Sequence, residues 1–357
     1  MAMILDNHVH VVTGKGPGNQ NLPPRYRWTL AMTWAYGGPP PWTRNPEEFY
    51  PRQEQRVADP DGRATIAGLD RAGVDGAVMI PVDFGPSHGL AQEQSIEETH
   101  ETFRDLQNAY PGRLFAFAGP DARRPDSLEL VRRAIGDWGF KGLKLMPEYG
   151  YYTSDRLLYG FYDYCLEADV PVAICTNFEP PFSRGRFNDP LHLTDVVADF
   201  PDLNVIFFHA GYPLHHWWQV CLGIARTALN TYLELDSWIL GFIGSPARRL
   251  GEEETIRRVA QARDTVGAHR VLFGSDIQFA PTSWGEEQAQ RYVERVEFWK
   301  SIPERAKKYG ITFSQEEMDL MMGLNLARLL KIVDMPEYRK KRKYGWKIVV
   351  PPPRPTP

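Results

Sequence analysis

The chain has 357 residues, 43% hydrophobic and 24% charged, which is enough apolar material for one large core of the size that α/β barrels occupy as a single domain. A net charge of -4 supplies no basic field for nucleic acid, and three cysteines without CxxC spacing exclude a disulfide framework. Sparse cysteine suits a reducing compartment, so the expected location is cytoplasmic; the apolar run near the N-terminus is too short for a transmembrane or secretory segment and is interrupted by His and Asp.

The first predicted element covers residues 3–10 and ends on His8 and His10. Residues two apart on a strand face the same way, so both imidazoles can grip one metal ion. Residues 13–60 form an insertion rich in proline and aromatic residues, among them Trp34 and the Gly37-Gly38-Pro39-Pro40-Pro41 run. Loops of this length act as lids or binding loops, and in a barrel the loop after strand one opens on the catalytic face. Plugging a barrel end or burying a subunit contact is the alternative.

Further β-type runs lie at residues 74–81, 114–119, 142–146, 171–175, 204–209, 231–235 and 271–274. Several are continuously apolar, as in Val205-Ile206-Phe207-Phe208, which is how strands buried on both faces of a parallel sheet read. Between strands, Asp126 or Ser127 caps a helix whose Leu128, Val131, Ile135 and Trp138 form one stripe. Ser314 and Glu317 have capping-box spacing before a second stripe of Met318, Met321, Met322, Leu326, Leu329 and Leu330. Eight strands alternating with helices predict a (β/α)8 TIM barrel; a doubly wound open sheet is the alternative, but no GxGxxG follows strand one. The barrel is expected over residues 1–334, and residues 335–357 form a tail with a basic run from Arg339 to Lys343 and a proline-rich end. That tail reads as an arm for a neighbouring subunit rather than a nucleic-acid or lipid contact.

The C-terminal ends of barrel strands converge on one site. Besides His8 and His10, this chain places there Lys144 followed by Glu148, Cys175 followed by Asn177, His209, and Asp276. A lysine inside a barrel is costly unless paired or modified, so Lys144 is expected to meet a carboxylate of substrate or protein, as a substrate anchor in preference to a metal bridge. Cys175 is either a thiolate ligand or a small buried hydrophobe, and Glu148, Asn177 or Glu179 can supply a ligand in its place. His88 after strand two and His215 after strand six can reach the substrate pocket; His100, His192 and His269 read as surface or helix positions without a role.

This set, in this order, with the Arg71-Ala72-Gly73-Val74-Asp75-Gly76-Ala77-Val78 segment and the closing Gly323-Leu324-Asn325-Leu326-Ala327-Arg328-Leu329-Leu330, resembles the amidohydrolase superfamily. The likeness is to the amidohydrolase-related branch that includes aminocarboxymuconate-semialdehyde decarboxylase, and it runs over roughly residues 1–332. It implies a distorted barrel with a divalent metal at the mouth, usually zinc, with manganese or another divalent ion as alternatives. By position, it makes His8 and His10 ligands, Asp276 the strand-eight carboxylate, and His209 an acid/base or a ligand. Two positions depart from the family pattern: its strand-five histidine is Cys175 here, and the histidine of its Lys-Leu-His-Pro run is Met146.

The implied chemistry is metal-dependent hydrolysis of a small cyclic or aromatic amide, ester, lactone or activated carbon–carbon bond, with Asp276 taking a proton from water and His209 serving the developing oxyanion. The alternatives are a non-oxidative decarboxylase of an aromatic or unsaturated carboxylic acid and, given Cys175 and Met146, an inactive barrel that serves as a binding protein. The expected partners are a small-molecule substrate and other copies of the chain, with neither nucleic acid nor membrane.

Overall fold

The computed structural model describes residues 3–13, 58–88, 94–178, 183–243, 250–338 and 343–345. Trp34, Glu179, nearly all of the 13–60 insertion and most of the tail lie outside the described residues.

Nine strands follow one another: β1 (Leu5–His10), β2 (Gly76–Met79), β3 (Leu114–Ala118), β4 (Gly142–Leu145), β5 (Val172–Cys175), β6 (Val205–Phe208), β7 (Thr231–Glu234), β8 (Val271–Leu272) and β9 (Ile277–Gln278). Their order in the sheet is β8-β7-β6-β5-β4-β3-β2-β1-β9, with neighbours parallel. With helices between the strands, this is the expected distorted (β/α)8 barrel. β8 and β9 are two halves of the eighth strand, and the residues between them leave the ladder. The barrel closes across that break: the Asn7 N–H donates to the Phe273 carbonyl at 3.1 Å, and β9 pairs with β1 at Val9 and His10.

Alternation along the strands divides the core in two. Ile206 and Phe208 of β6 point into the lumen with Leu5, Phe117 and Leu272, while Val205 and Phe207 pack outward toward the helices. Both sets are fully buried, which accounts for the unbroken apolar run. The lumen floor is closed by Leu326, Ala327, Leu329 and Leu330 from the end of the chain.

That closing segment begins with the expected capping box, in which Ser314 Oγ accepts the Glu317 N–H at 3.1 Å and Glu317 returns a carboxylate to the Ser314 N–H at 2.8 Å. The helix then widens into a π-helical turn at Leu320–Leu324 before resuming over Asn325–Leu329. Gly323 lies against β1 so closely that a Cβ would collide with the Met3 carbonyl, and Asn325 Nδ2 donates to the carbonyls of Ala268 (2.8 Å) and Val271 (2.9 Å). The plug is thus fastened to the strand regions on both sides of the closure. No helix among the described residues is long and apolar enough to cross a membrane.

Candidate metal centre and acid–base site

The two ends of the barrel seam are tied together before any functional side chain is placed. β1 slips register between Asp6 and Val9, and the buried Asp6 carboxylate accepts the N–H of His8 at 2.9 Å and of Ser275 at 3.1 Å. Burial raises the Asp6 carboxyl from 3.8 to about 7. From this base His8 Nε2 and His10 Nε2 face each other at 3.1 Å, with Asp276 Oδ1 3.4 Å from the first and 3.1 Å from the second.

These three atoms fit a divalent cation. The Ile80 carbonyl accepts a hydrogen bond from His10 Nδ1 at 3.0 Å, which leaves Nε2 as the nitrogen that can offer a lone pair to a metal. Burial holds His8 well below its ordinary value, so its ring is neutral. Two imidazole nitrogens and a carboxylate oxygen at such spacings can turn their lone pairs to one point, where a cation would fit. Tetrahedral coordination with bonds of about 2.1 Å separates ligand atoms by about 3.4 Å, close to the observed triangle.

His209 follows β6 and is anchored at both ends. Its Nδ1 lies 2.9 and 3.0 Å from the two Asp236 oxygens and 3.0 Å from Ser237 Oγ, while Nε2 lies 3.7 Å from Cys175 Sγ. Burial alone would depress this imidazole, but the Asp236 carboxylate outweighs it and raises His209 well above its ordinary value. Glu234 accepts the backbone N–H groups of His209 (3.1 Å) and Asp236 (2.9 Å), and stands 3.9 Å from His8 Nδ1. Burial, then the charge of Asp236, lifts the Glu234 carboxyl well above its usual range. Gly274 makes room for it, since a Cβ there would collide with Glu234 Oε1. His209 and Asp276 both have left-handed backbones, φ 64° and 50°. Such conformations cost on the order of 1–3 kcal/mol and gather at functional sites.

Lys144 points into the lumen at 2% exposure; its Nζ sits 3.6 Å from the centroid of the Phe208 ring and has no hydrogen-bond partner among the described residues. Glu148 is also buried, with Oε2 unpartnered among the described residues, and burial raises its carboxyl. Cys175 ends β5 as expected, but its thiol turns to His209 and joins neither group of clustered ligand atoms among the described residues. Burial and then Glu148 raise that thiol. Asn177 accepts two hydrogen bonds from Asn188 Nδ2, at 2.9 and 3.2 Å.

His215 lies apart from these groups: it is exposed, bonded to Arg258 and 3.8 Å from Glu254, both on the helix Glu252–Val266. His88 closes the short helix Gly85–His88, and its side chain lies outside the described residues. His100 lies on the helix Ile96–Ala109, one of the two placements expected for it, but faces the core instead of solvent. It is fully buried, with Nδ1 donating to the Ile96 carbonyl at 2.7 Å and Nε2 accepting the Gly119 N–H at 3.0 Å.

Glu234 and Asp236 were not anticipated. They stand two apart at the end of β7, the spacing that drew attention to His8 and His10 at the end of β1.

Comparison with known proteins follows the same lines. The profile of the amidohydrolase family matches residues 6–332. A curated relative, 2-keto-4-carboxy-3-hexenedioate hydratase of a Sphingobium strain, is 27% identical over 142 residues, a match covering 32% of this chain and 40% of the relative's length. An uncharacterized TIM-barrel protein of Bordetella bronchiseptica superposes with a TM-score of 0.60 at 20% identity, over 92% of this chain and 98% of that one. A dihydroxybenzoic acid decarboxylase of Polaromonas, solved with manganese and 2-nitroresorcinol, gives 0.60 at 13% identity, over 93% and 98%.

Proposed function

The chain belongs to the amidohydrolase family, and from that membership we propose that it is a divalent-metal-dependent hydrolase of a small cyclic or aromatic substrate. The observation that carries this reading is the triangle of His8 Nε2, His10 Nε2 and Asp276 Oδ1, with sides of 3.1, 3.4 and 3.1 Å. These three atoms would hold the ion, with zinc as the first choice for two imidazoles and a carboxylate and manganese as the second. When bound, such an ion supplies the Lewis acidity that makes water nucleophilic near neutral pH.

The protein's own groups divide the proton work. Asp276, whose Oδ1 is one corner of the ligand triangle, takes a proton from water. His209, kept protonated by Asp236, delivers one from Nε2 to the leaving group. Asp236 fixes the ring, and Glu234 fixes the backbone that carries it. Addition of water across a scissile bond needs one group to accept a proton and another to give one; loss of carbon dioxide needs only the donor. That division favours hydrolysis over decarboxylation.

The test begins with metal content and ends with turnover. Wild-type protein stripped and reloaded with zinc or manganese is expected to hydrolyse lactones, esters or amides of small cyclic acids, and a chelator should stop it. His10→Ala should lower bound metal at least about tenfold. Cobalt-substituted protein should lack a thiolate-to-metal charge-transfer band, because Cys175 engages His209 instead. Carbon dioxide release from hydroxybenzoates without ester or amide turnover would replace this reading with the decarboxylase. Absence of metal after reconstitution would leave a binding barrel.

A further inference from the structure

The proton that His209 carries on Nε2 is aimed at a sulfur atom. Asp236 takes the other ring nitrogen, at 2.9 and 3.0 Å from Nδ1, so Nε2 faces Cys175 Sγ at 3.7 Å, within hydrogen-bond range for sulfur. A nucleophile, a base beside it and a carboxylate that orients the base make up a catalytic triad, in which the first contact is often loose before substrate binds. Here the three parts come from consecutive strands: Cys175 ends β5, His209 follows β6 directly, and Asp236 stands two residues past β7. All three are buried. We infer that Cys175, His209 and Asp236 form a thiol triad, so that hydrolysis passes through an acyl thioester on Cys175 and the substrate is an ester, a lactone or an activated amide.

This cysteine differs from the other two. Cys165 and Cys221 are buried as well, but among the described residues Cys175 alone meets an imidazole, while Cys221 turns to Thr176 Oγ1 at 4.0 Å. The triad also abuts the ligand triangle, for the His209 ring lies 5.2 Å from the ring of His8. Burial keeps the proton on Cys175 until a carbonyl carbon is in reach. The sulfur then bonds to that carbon as the bond to the leaving group breaks. His209 gives its Nε2 proton to the leaving group and takes the thiol proton in its place. Water at the ligand triangle next attacks the thioester, and the carbon–sulfur bond breaks. One water proton stays with the acid product, the other passes to Asp276, and the departing sulfur recovers its proton from His209, which regains one from Asp276 through solvent.

The inference deepens the hydrolase reading and rests on it for the lumen as the substrate site, but the two fail separately. Metal-free protein is mixed with para-nitrophenyl acetate, para-nitrophenyl benzoate and the lactone dihydrocoumarin. With no ion to activate water, reaction should stop at the thioester. The expected result with at least one donor is an intact mass raised by a single acyl group, mapped to Cys175 with Cys165 and Cys221 free, and removed by hydroxylamine. Formation of this adduct tests the triad; its clearance on reloading with zinc tests the hydrolase. His209→Gln keeps the thiol and should acylate at least about 100-fold more slowly. A cysteine that merely packs in the core would react equally slowly with either residue at 209. Zinc-loaded Cys175→Ala should lose at least about 100-fold in turnover, and the nearly isosteric Cys175→Ser gives the same comparison should alanine unfold the chain. The inference is overturned if no donor acylates Cys175, if His209→Gln acylates as fast as wild type, or if folded Cys175→Ala or Cys175→Ser turns over as wild type does.

Discussion

A single hydrogen atom at residue 274 decides where the Glu234 carboxylate can sit. Gly274→Ala would drive that carboxylate off the backbone amides of His209 and Asp236. The expected cost is about 1–3 kcal/mol of stability, seen as a lower denaturation midpoint, together with loss of activity. Glu234→Gln keeps the volume and one acceptor, so it should fold and lose up to about 100-fold in turnover, the effect of misplacing a proton donor such as His209 by about an ångström. Equal activity in Glu234→Gln and wild type would mean that the backbone of His209 needs no such support. At this scale the sequence was most legible where a rare residue type coincides with a strand end. His8, His10 and Asp276 satisfy that condition and come together. Glu234 and Asp236 satisfy it equally, but carboxylates are common on surfaces, so their spacing carried no weight until β7 was known to be buried throughout.

Elements were read well where periodicity had room to show. The buried strands of four to six residues all lie within the expected runs, and the ends differ by a residue or two where the backbone turns, as at His209. A two-residue strand such as Ile277–Gln278 has no period to detect, so the second half of strand eight escaped notice. The π-helical turn escaped for a related reason: one extra residue over Leu320–Leu324 leaves an apolar stripe that still reads as α-helical. Its consequence is testable at Gly323. Alanine there should push the closing helix away from β1 and cost up to about 3 kcal/mol, measured as a fall in the urea midpoint with the slope unchanged. An unchanged midpoint would show that the plug does not need this close approach.

At the scale of the whole molecule, His100 gives stability a pH dependence of its own. Burial lowers its value from 6.5 to about 4, so between those values the unfolded chain binds a proton that the folded chain refuses. Stability from this group is therefore full above pH 6.5 and is lost as the pH falls toward 4, by about 3 kcal/mol in all. His100→Gln keeps a donor for the Ile96 carbonyl and an acceptor for the Gly119 amide, and should flatten the stability curve over that window. The same steep acid limb in variant and wild type would assign the loss to other groups. Net charge and cysteine spacing reported the class of the molecule but not this group, because a histidine that faces the core of a helix looks like any other helical residue in the sequence.

The break in strand eight has a consequence in time as well as space. His8 and His10 leave the ribosome long before Asp276 and the strand that seats it against β1. A growing chain thus carries two imidazoles that lack their carboxylate until residue 276 has emerged, and ion capture must await the strand that follows it. Truncated nascent products would be blind to the metal, and the last ladder to zip is the one that completes the coordination set.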